Sequence, residues 1–272
     1  TPGDVRIDER WTADGVDGEA VSWSVGFGPR VEAWVLRPAG STGPLPGIVA
    51  LHDHGGNKYF GKEKIADGPR GAEPGVHALR ERAYGGRAFA NELARRGFTV
   101  LVPDVFMWSS RRFPLDVMPG EIAELAETTE GTEAERYNAA ARPHEDLVAK
   151  YCALLGTTVP GIIAAEDRIA VRYLQSRPDV MPDEIGCVGL SGGGGRAVLL
   201  QATCDAMRAT VVAGMMSTYA HLLDRNVVSH TWMLFPTGWS RHGDWPDIAA
   251  SRAPSPLMVQ YLEDDALFPL EG

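Results

Sequence analysis

The sequence is short of the residues that announce several common functions. Cysteine is scarce: Cys152, Cys187 and Cys204 are three in 272 residues. That odd number, with no CxxC pair and no Cys/His cluster at zinc spacing, excludes a disulfide framework or a zinc module as the organising device. Cys187 and Cys204 stand in apolar surroundings and read as small core residues, so a reducing, cytoplasmic setting is expected. Basic residues are outnumbered 26 to 36, for a formal net charge of −10. A nucleic-acid partner is therefore not expected, because phosphate-backbone binding rests on clustered Lys and Arg that release counterions. The one basic cluster, Lys58, Lys62 and Lys64, is diluted by Glu63 and reads as a solvated loop. No uninterrupted apolar run reaches the roughly 18 residues that cross a bilayer, and the N-terminus has no basic-then-apolar leader pattern, so no membrane association is expected. Repeats, low-complexity tracts and Ser/Gly linkers are missing too, and residues 1–272 read as a single domain.

What remains is enough for one large core: 44% hydrophobic residues, with seven tryptophans. Short β-type runs alternate with helical patterns, which predicts βαβ units and a mainly parallel sheet with helices on both faces. "AVSWSVGF" and "VEAWVLRP" alternate apolar and polar residues around a turn, as an antiparallel edge hairpin would. "GIVALHDH" reads as a buried strand leading into a glycine-rich loop. A helix through "YGGRAFANELARRG" and the strand "FTVLVPDV" follow. Residues 106–160 break the rhythm, being acidic, partly helical and without a clear strand, and are expected to form a cap-like insertion over the sheet. The alternation resumes with the helix "GIIAAEDRIAVRYLQSRPDV", the strand "EIGCVGLS", a helix from Gly192 to about Cys204, and the strand "ATVVAGMM". An aromatic segment over 217–250 precedes a last strand, "PLMVQYLEDD".

The chemistry concentrates in "CVGLSGGGGR". Gly189-Leu190-Ser191-Gly192-Gly193 satisfies G-x-S-x-G in the context that gives the motif meaning, an apolar strand before it and a helical pattern after it. A serine on that sharp turn needs small residues two before and two after it, because the chain folds back on itself there; Gly189 and Gly193 meet the demand. The amide of Gly192 can donate to an oxyanion, and "LHDHGGN" offers a second donor at His54 or Gly55. His52-Asp53-His54 also has a metal reading, yet Gly55, Gly56 and Asn57 follow where a zinc site would continue with Asp-His, so no metal and no cofactor are expected. A metal-dependent hydrolase using His52 and His54 stays as an alternative, with His52 otherwise bonding loop backbone.

Hydrolases with this elbow order their triad Ser, acid, His. In "QYLEDDALFP" the acid is expected at Asp265, with Asp264 in reserve, Phe268 packed beneath and Pro269 stopping the strand. No histidine follows Asp265. The expectation is that the C-terminal helix, last strand and histidine loop lie beyond Gly272; His230 and His242, in the aromatic segment, would break the chain order. A non-catalytic binding protein on the same fold is the other alternative.

The elbow "GLSGGGG", the loop "LHDHGGNKYFGKEK", the segment "HTWMLFPTGWSRHGDWPDIAA" and the strand "PLMVQYLEDDALFPLEG" together resemble the α/β-hydrolase superfamily, nearest its dienelactone-hydrolase-like and acetyl-xylan-esterase-like branch. That resemblance covers roughly residues 30–272 and implies Ser191 as nucleophile, Asp265 as acid, and the amides of Gly192 and of His54 or Gly55 as oxyanion hole. It implies serine-dependent cleavage of a carboxylic ester, and aromatic pocket walls would suit an acetyl or other small acyl ester of carbohydrate type. Dienelactone hydrolases proper carry Cys as nucleophile, and Ser191 shifts the expectation to esters. Trp108 and Trp232, with Trp239, are expected to wall the pocket. A small-molecule ester is the expected partner, and homo-oligomerisation is left open.

Overall fold

The structure, a computed structural model, describes residues 2–268, the side chain of Arg225 excepted. Strands β1 (Gly3–Ala13), β2 (Val16–Ser24) and β3 (Val31–Pro38) form an antiparallel meander. Strand β4 (Leu45–Leu51) is followed by helices α1 (Pro74–Ala83) and α2 (Phe89–Arg95) and by β5 (Thr99–Pro103). Helices α3 (Gly120–Thr128), α4 (Glu133–Leu154) and α5 (Val159–Ser176) separate β5 from β6 (Val180–Leu190). Then come α6 (Gly192–Thr203), β7 (Met207–Ala213), α7 (Tyr219–Asn226), α8 (Trp245–Ala250) and β8 (Leu257–Gln260). Among the described residues the strands make one eight-stranded sheet in the order β1-β2-β3-β5-β4-β6-β7-β8. From β5 to β8 the pairing is parallel, as the βαβ alternation predicts.

Strands β4 and β5 carry no charged residue because both faces are covered. Successive residues of β4 and β5 enter opposite layers: Val49, Leu51 and Leu101 join the core that holds Ala197 of α6 and Val171 of α5, whereas Ala50, Val100 and Val102 pack on Ala90 and Ala94 of α2. No single helix among the described residues is long and apolar enough to cross a membrane.

Three expectations need correction. The β2–β3 hairpin is internal, since β1 adds outside it and β3 pairs with β5. Strand β1, "GDVRIDERWTA", is charged and almost wholly exposed, the composition that protects a sheet edge and hides a strand from hydropathy. The helix expected from Tyr84 begins only at Phe89, because Gly85 and Gly86 sit at φ 58° and 72° in a turn. Most important, Lys58, Lys62 and Lys64 are not solvated: they are 5%, 4% and 1% exposed. Besides the adjacent Glu63, which pairs with Lys62 at 3.0 Å, their counter-charges come from Glu145 on α4, Asp104 after β5 and Asp53, which local sequence does not place beside them.

Candidate active site

Strand order sets the location. The chain leaves β4 for β5 on one side, while β6 lies on the other, and at such a reversal the carboxyl ends of the strands open a crevice. Leu51, the last residue of β4, pairs with Gly189 of β6, so the two loops that carry the candidate residues emerge side by side.

Ser191 joins β6 to α6 at φ 54° and ψ −120°, a conformation that L residues avoid. Its amide donates to Ala213 O at 2.8 Å, which ties the turn to β7. The flanking glycines are steric necessities. A Cβ on Gly189 would lie 2.2 Å from Gly193 O, and one on Gly193 would lie 2.2 Å from Leu51 O. Gly192 must be small for a third reason: its Cβ would stand 2.8 Å from the backbone nitrogen of His54. The amide of Gly192 is the first of α6 and has no intrahelical acceptor. The structure thus brings Ser191, the Gly192 amide and the His54 amide together, and favours His54 over Gly55 as the neighbour of the elbow. Among the described residues no protein acceptor takes the His54 or Gly192 amide, and no side chain hydrogen-bonds the Ser191 hydroxyl.

The loop after β4 is held from inside by buried cations. Arg196 of α6 donates to His52 O at 3.4 Å, and Lys64 Nζ donates to Asp53 O at 2.9 Å and to His54 O at 3.0 Å. Three consecutive carbonyls are fixed in this way. Arg196 is itself clamped by Asp167 of α5 through bonds of 2.9 and 2.7 Å. Tyr84 OH donates to Asp53 Oδ1 at 2.6 Å and accepts from the Asp53 amide at 3.2 Å. Burial lowers the Lys64 ammonium pKa to about 8, against the pull of Asp53, and lowers His52 well below the usual histidine range. His52 is therefore neutral, and its Nδ1 reaches Asp53 O at 3.0 Å, the loop-backbone role expected of it.

Ser191 lies on the wall of a cavity of about 550 Å³, opposite the inner face of α4 and the segment 228–234. Glu145, buried on α4, joins three stretches of chain there. It accepts from Lys58 Nζ, from Thr231 Oγ1 at 2.5 Å and from the Trp232 amide at 3.0 Å, and it meets His54 Nε2 at 2.9 Å. Burial raises the Glu145 pKa, but the His54 hydrogen bond and the Lys58 charge outweigh it and hold the carboxyl well below the ordinary glutamate range. Burial lowers His54, and the Gly56 amide donates to its Nδ1 at 3.1 Å, so a neutral His54 carries its proton on Nε2, toward Glu145.

The remaining expected residues divide. Trp232 lines the cavity and donates from Nε1 to Asp146 Oδ1 at 2.7 Å. Trp108 does not: at 1% exposure it lies behind the wall, its ring 5.1 Å from that of His54 and 5.3 Å from Lys58 Nζ. Trp239 packs on Trp245 in the core, away from the cavity. Asp265 stands in the turn after β8, where its Oδ1 accepts from the amides of Leu267 at 2.9 Å and Phe268 at 3.3 Å. Leu267 and Phe268 reach the cavity wall, and Phe268 is buried, as expected; Pro269 lies outside the described residues. His230 lines the cavity as well, but its Nε2 meets Leu267 O at 3.1 Å. No group of three or more His, Cys, Asp or Glu among the described residues is disposed to hold a metal ion.

Sequence reasoning missed Glu145, Lys58, Lys64 and the Arg196–Asp167 clamp. A signal was present in the two acids. Glu145 falls in the buried stripe Tyr137, Ala141, Val148, Cys152 of α4, and Asp167 in the stripe Ile163, Ala170, Val171, Leu174 of α5. A charge in phase with a buried stripe needs a partner. The lysines carried no such phase, since they lie in irregular chain.

Parallel sheet, two-sided helical cover and a serine elbow at the carboxyl edge define an α/β-hydrolase. The family model described as "Dienelactone hydrolase family" matches residues 31–234, and the chain belongs to that family. The Bacillus subtilis (strain 168) protein named "Putative hydrolase YtaP" is 24% identical over 244 residues, 89% of this chain and 68% of its own. Among solved structures, a "putative acetyl xylan esterase" from Bacteroides fragilis superposes with a TM-score of 0.68 at 16% identity, over 95% of this chain and 63% of that one. A glucuronoyl esterase from Solibacter usitatus gives a TM-score of 0.63 at 16% identity, over 99% and 70%. The chain thus spans less than two thirds of the Bacteroides structure it matches.

Proposed function

We propose that the protein cleaves carboxylic esters through an acyl-serine. The observation that carries this reading is Ser191, strained on its elbow in a cavity wall, with the amides of Gly192 and His54 beside it and, among the described residues, no protein acceptor on either. In the first half-reaction Ser191 Oγ bonds to the ester carbonyl carbon. The carbonyl π pair moves to oxygen, where the two amides receive it, and collapse expels the alcohol. The hydroxyl proton passes to a histidine oriented by Asp265 and from there to the leaving alkoxide. In the Ser, acid, His order of this fold the expected place of that histidine is after Asp265. Water then repeats the sequence on the acyl-enzyme and frees the acid. The mixed wall, Trp232, Leu234 and Phe268 against Asn138 and Arg142, suits a small acyl group on a polar, carbohydrate-type alcohol.

The test is turnover of p-nitrophenyl acetate together with labelling by a fluorophosphonate. Wild-type enzyme is expected to turn over and to label at Ser191, and Ser191→Ala to lose about 10⁴-fold or more in kcat and all labelling. A folded wild-type protein in which Ser191 stays unlabelled overturns the reading.

A further inference from the structure

We propose that Lys64 is a positioning residue for catalysis: its ammonium polarises the peptide unit between Asp53 and His54, and so strengthens the His54 amide as an oxyanion donor. This inference rests on the hydrolase reading above. Lys64 is 1% exposed and sits beneath the loop after β4, away from the cavity, so it touches no substrate. Its Nζ is 2.9 Å from Asp53 O. Asp53 O and the His54 N–H belong to one peptide group, and in a trans peptide they point in opposite directions along its plane. The carbonyl end faces the buried cation. The N–H end faces the elbow, with His54 N 2.8 Å from the place a Cβ on Gly192 would take.

Hydrogen bonds in series polarise one another, most where the dielectric is low and one partner is charged. Asp53 O accepts from the ammonium and is met by His52 Nδ1 at 3.0 Å, so electron density is drawn out of the amide nitrogen and its proton becomes a better donor. The second Lys64 bond, 3.0 Å to His54 O, fixes the next peptide and with it the direction of the N–H. Position and polarity of the donor therefore depend on one ammonium group. On the elbow side, the donor of Gly192 gets the same service from the α6 dipole.

The groups that face Lys64 are Asp53 and Glu63, which favour its proton, and Lys58 and Arg196, which oppose it; Tyr84, His52 and His54 complete the surroundings, and Arg80 Nε bonds Lys64 O. With burial bringing its pKa to about 8, the charge is lost as pH rises through that value. The pH–rate profile is then expected to fall on its alkaline side there.

The experiment compares wild-type and Lys64→Met enzyme with p-nitrophenyl acetate and with a trifluoromethyl ketone, which adds to Ser191 and leaves its oxygen in the oxyanion position. Lys64→Met is expected to lose about ten- to a hundredfold in kcat, less than deletion of a donor, with KM within about threefold. The ketone should weaken by the same factor, and the alkaline fall of the profile should disappear. A folded Lys64→Met enzyme that binds the ketone as wild type does overturns the proposal while leaving the hydrolase reading intact; wild-type enzyme that binds no ketone and cleaves no ester overturns both. If Lys64→Met does not fold, the wild-type protein decides: the His54 amide proton resonance should move as Lys64 deprotonates, and one that stays fixed overturns the proposal.

Discussion

The two amides beside Ser191 are presented by opposite means. On the elbow side the chain is shaped by what is missing: no Cβ at Gly189, Gly192 or Gly193, so that backbone can press on backbone. On the loop side it is shaped by what is added: the cations of Lys64 and Arg196 buried against carbonyls, and a carboxylate, Glu145, buried against Lys58 and His54. The first construction is local and steric and fails all at once. The second is assembled from three separate stretches of chain and can be weakened by degrees.

Substitutions that break one side and spare the other test that contrast. Gly193→Ala should be the most damaging, because a methyl 2.2 Å from Leu51 O cannot be accommodated without moving β4 or α6. A loss of about 5 kcal/mol is expected, at the upper end for single substitutions, read from the denaturation midpoint. On the loop side Glu145→Ala strands a buried lysine and should cost about 3–5 kcal/mol. Glu145→Gln keeps the volume and sharpens the point. Because the folded carboxyl titrates below its ordinary range, its stabilisation is present above that range and lost progressively as pH falls from there through the lower pKa of the folded state. The glutamine variant should therefore show a flatter acid limb in a plot of stability against pH. Tyr84→Phe removes both hydrogen bonds that the hydroxyl makes with Asp53 and should cost about 1–2 kcal/mol with a small fall in kcat. Smallest of all, His230→Asn should change the fluorophosphonate labelling rate by less than about threefold, since its Nε2 is engaged by Leu267 O. A large loss of labelling there would make His230 the base and displace the histidine expected after Asp265.

The same contrast decides what could be read from sequence. The parallel sheet, the elbow and its glycines were legible, because a period of two, a 3.6-residue period and a steric rule all act over a few neighbouring residues. That the Gly192 amide is free beside Ser191 follows from its place at the start of a helix. The neighbour of the elbow on the other side is narrowed by sequence only to His54 or Gly55, since the choice depends on how β4 and β6 align. Lys58, Lys62 and Lys64 were misread because nothing near them in sequence says that Glu145, Asp104 and the Asp53 and His54 carbonyls would close around them. Side-chain type alone puts Trp108 in the pocket, whereas the fold uses it as backing for His54. Strand β1 escaped notice for the converse reason: an edge strand that stays in water need carry no apolar signal.

The backbone angles of Ser191 carry a last consequence, for how the sequence is free to drift. At φ 54° and ψ −120° the fold itself would be better served by glycine, the residue already found at 189 and at 192–195. Ser191→Gly is expected to abolish turnover and yet raise the unfolding free energy by about 1 kcal/mol, measurable as a higher denaturant midpoint. In any lineage where the activity ceased to matter, this position should be among the first to change, and the change should make the protein more robust.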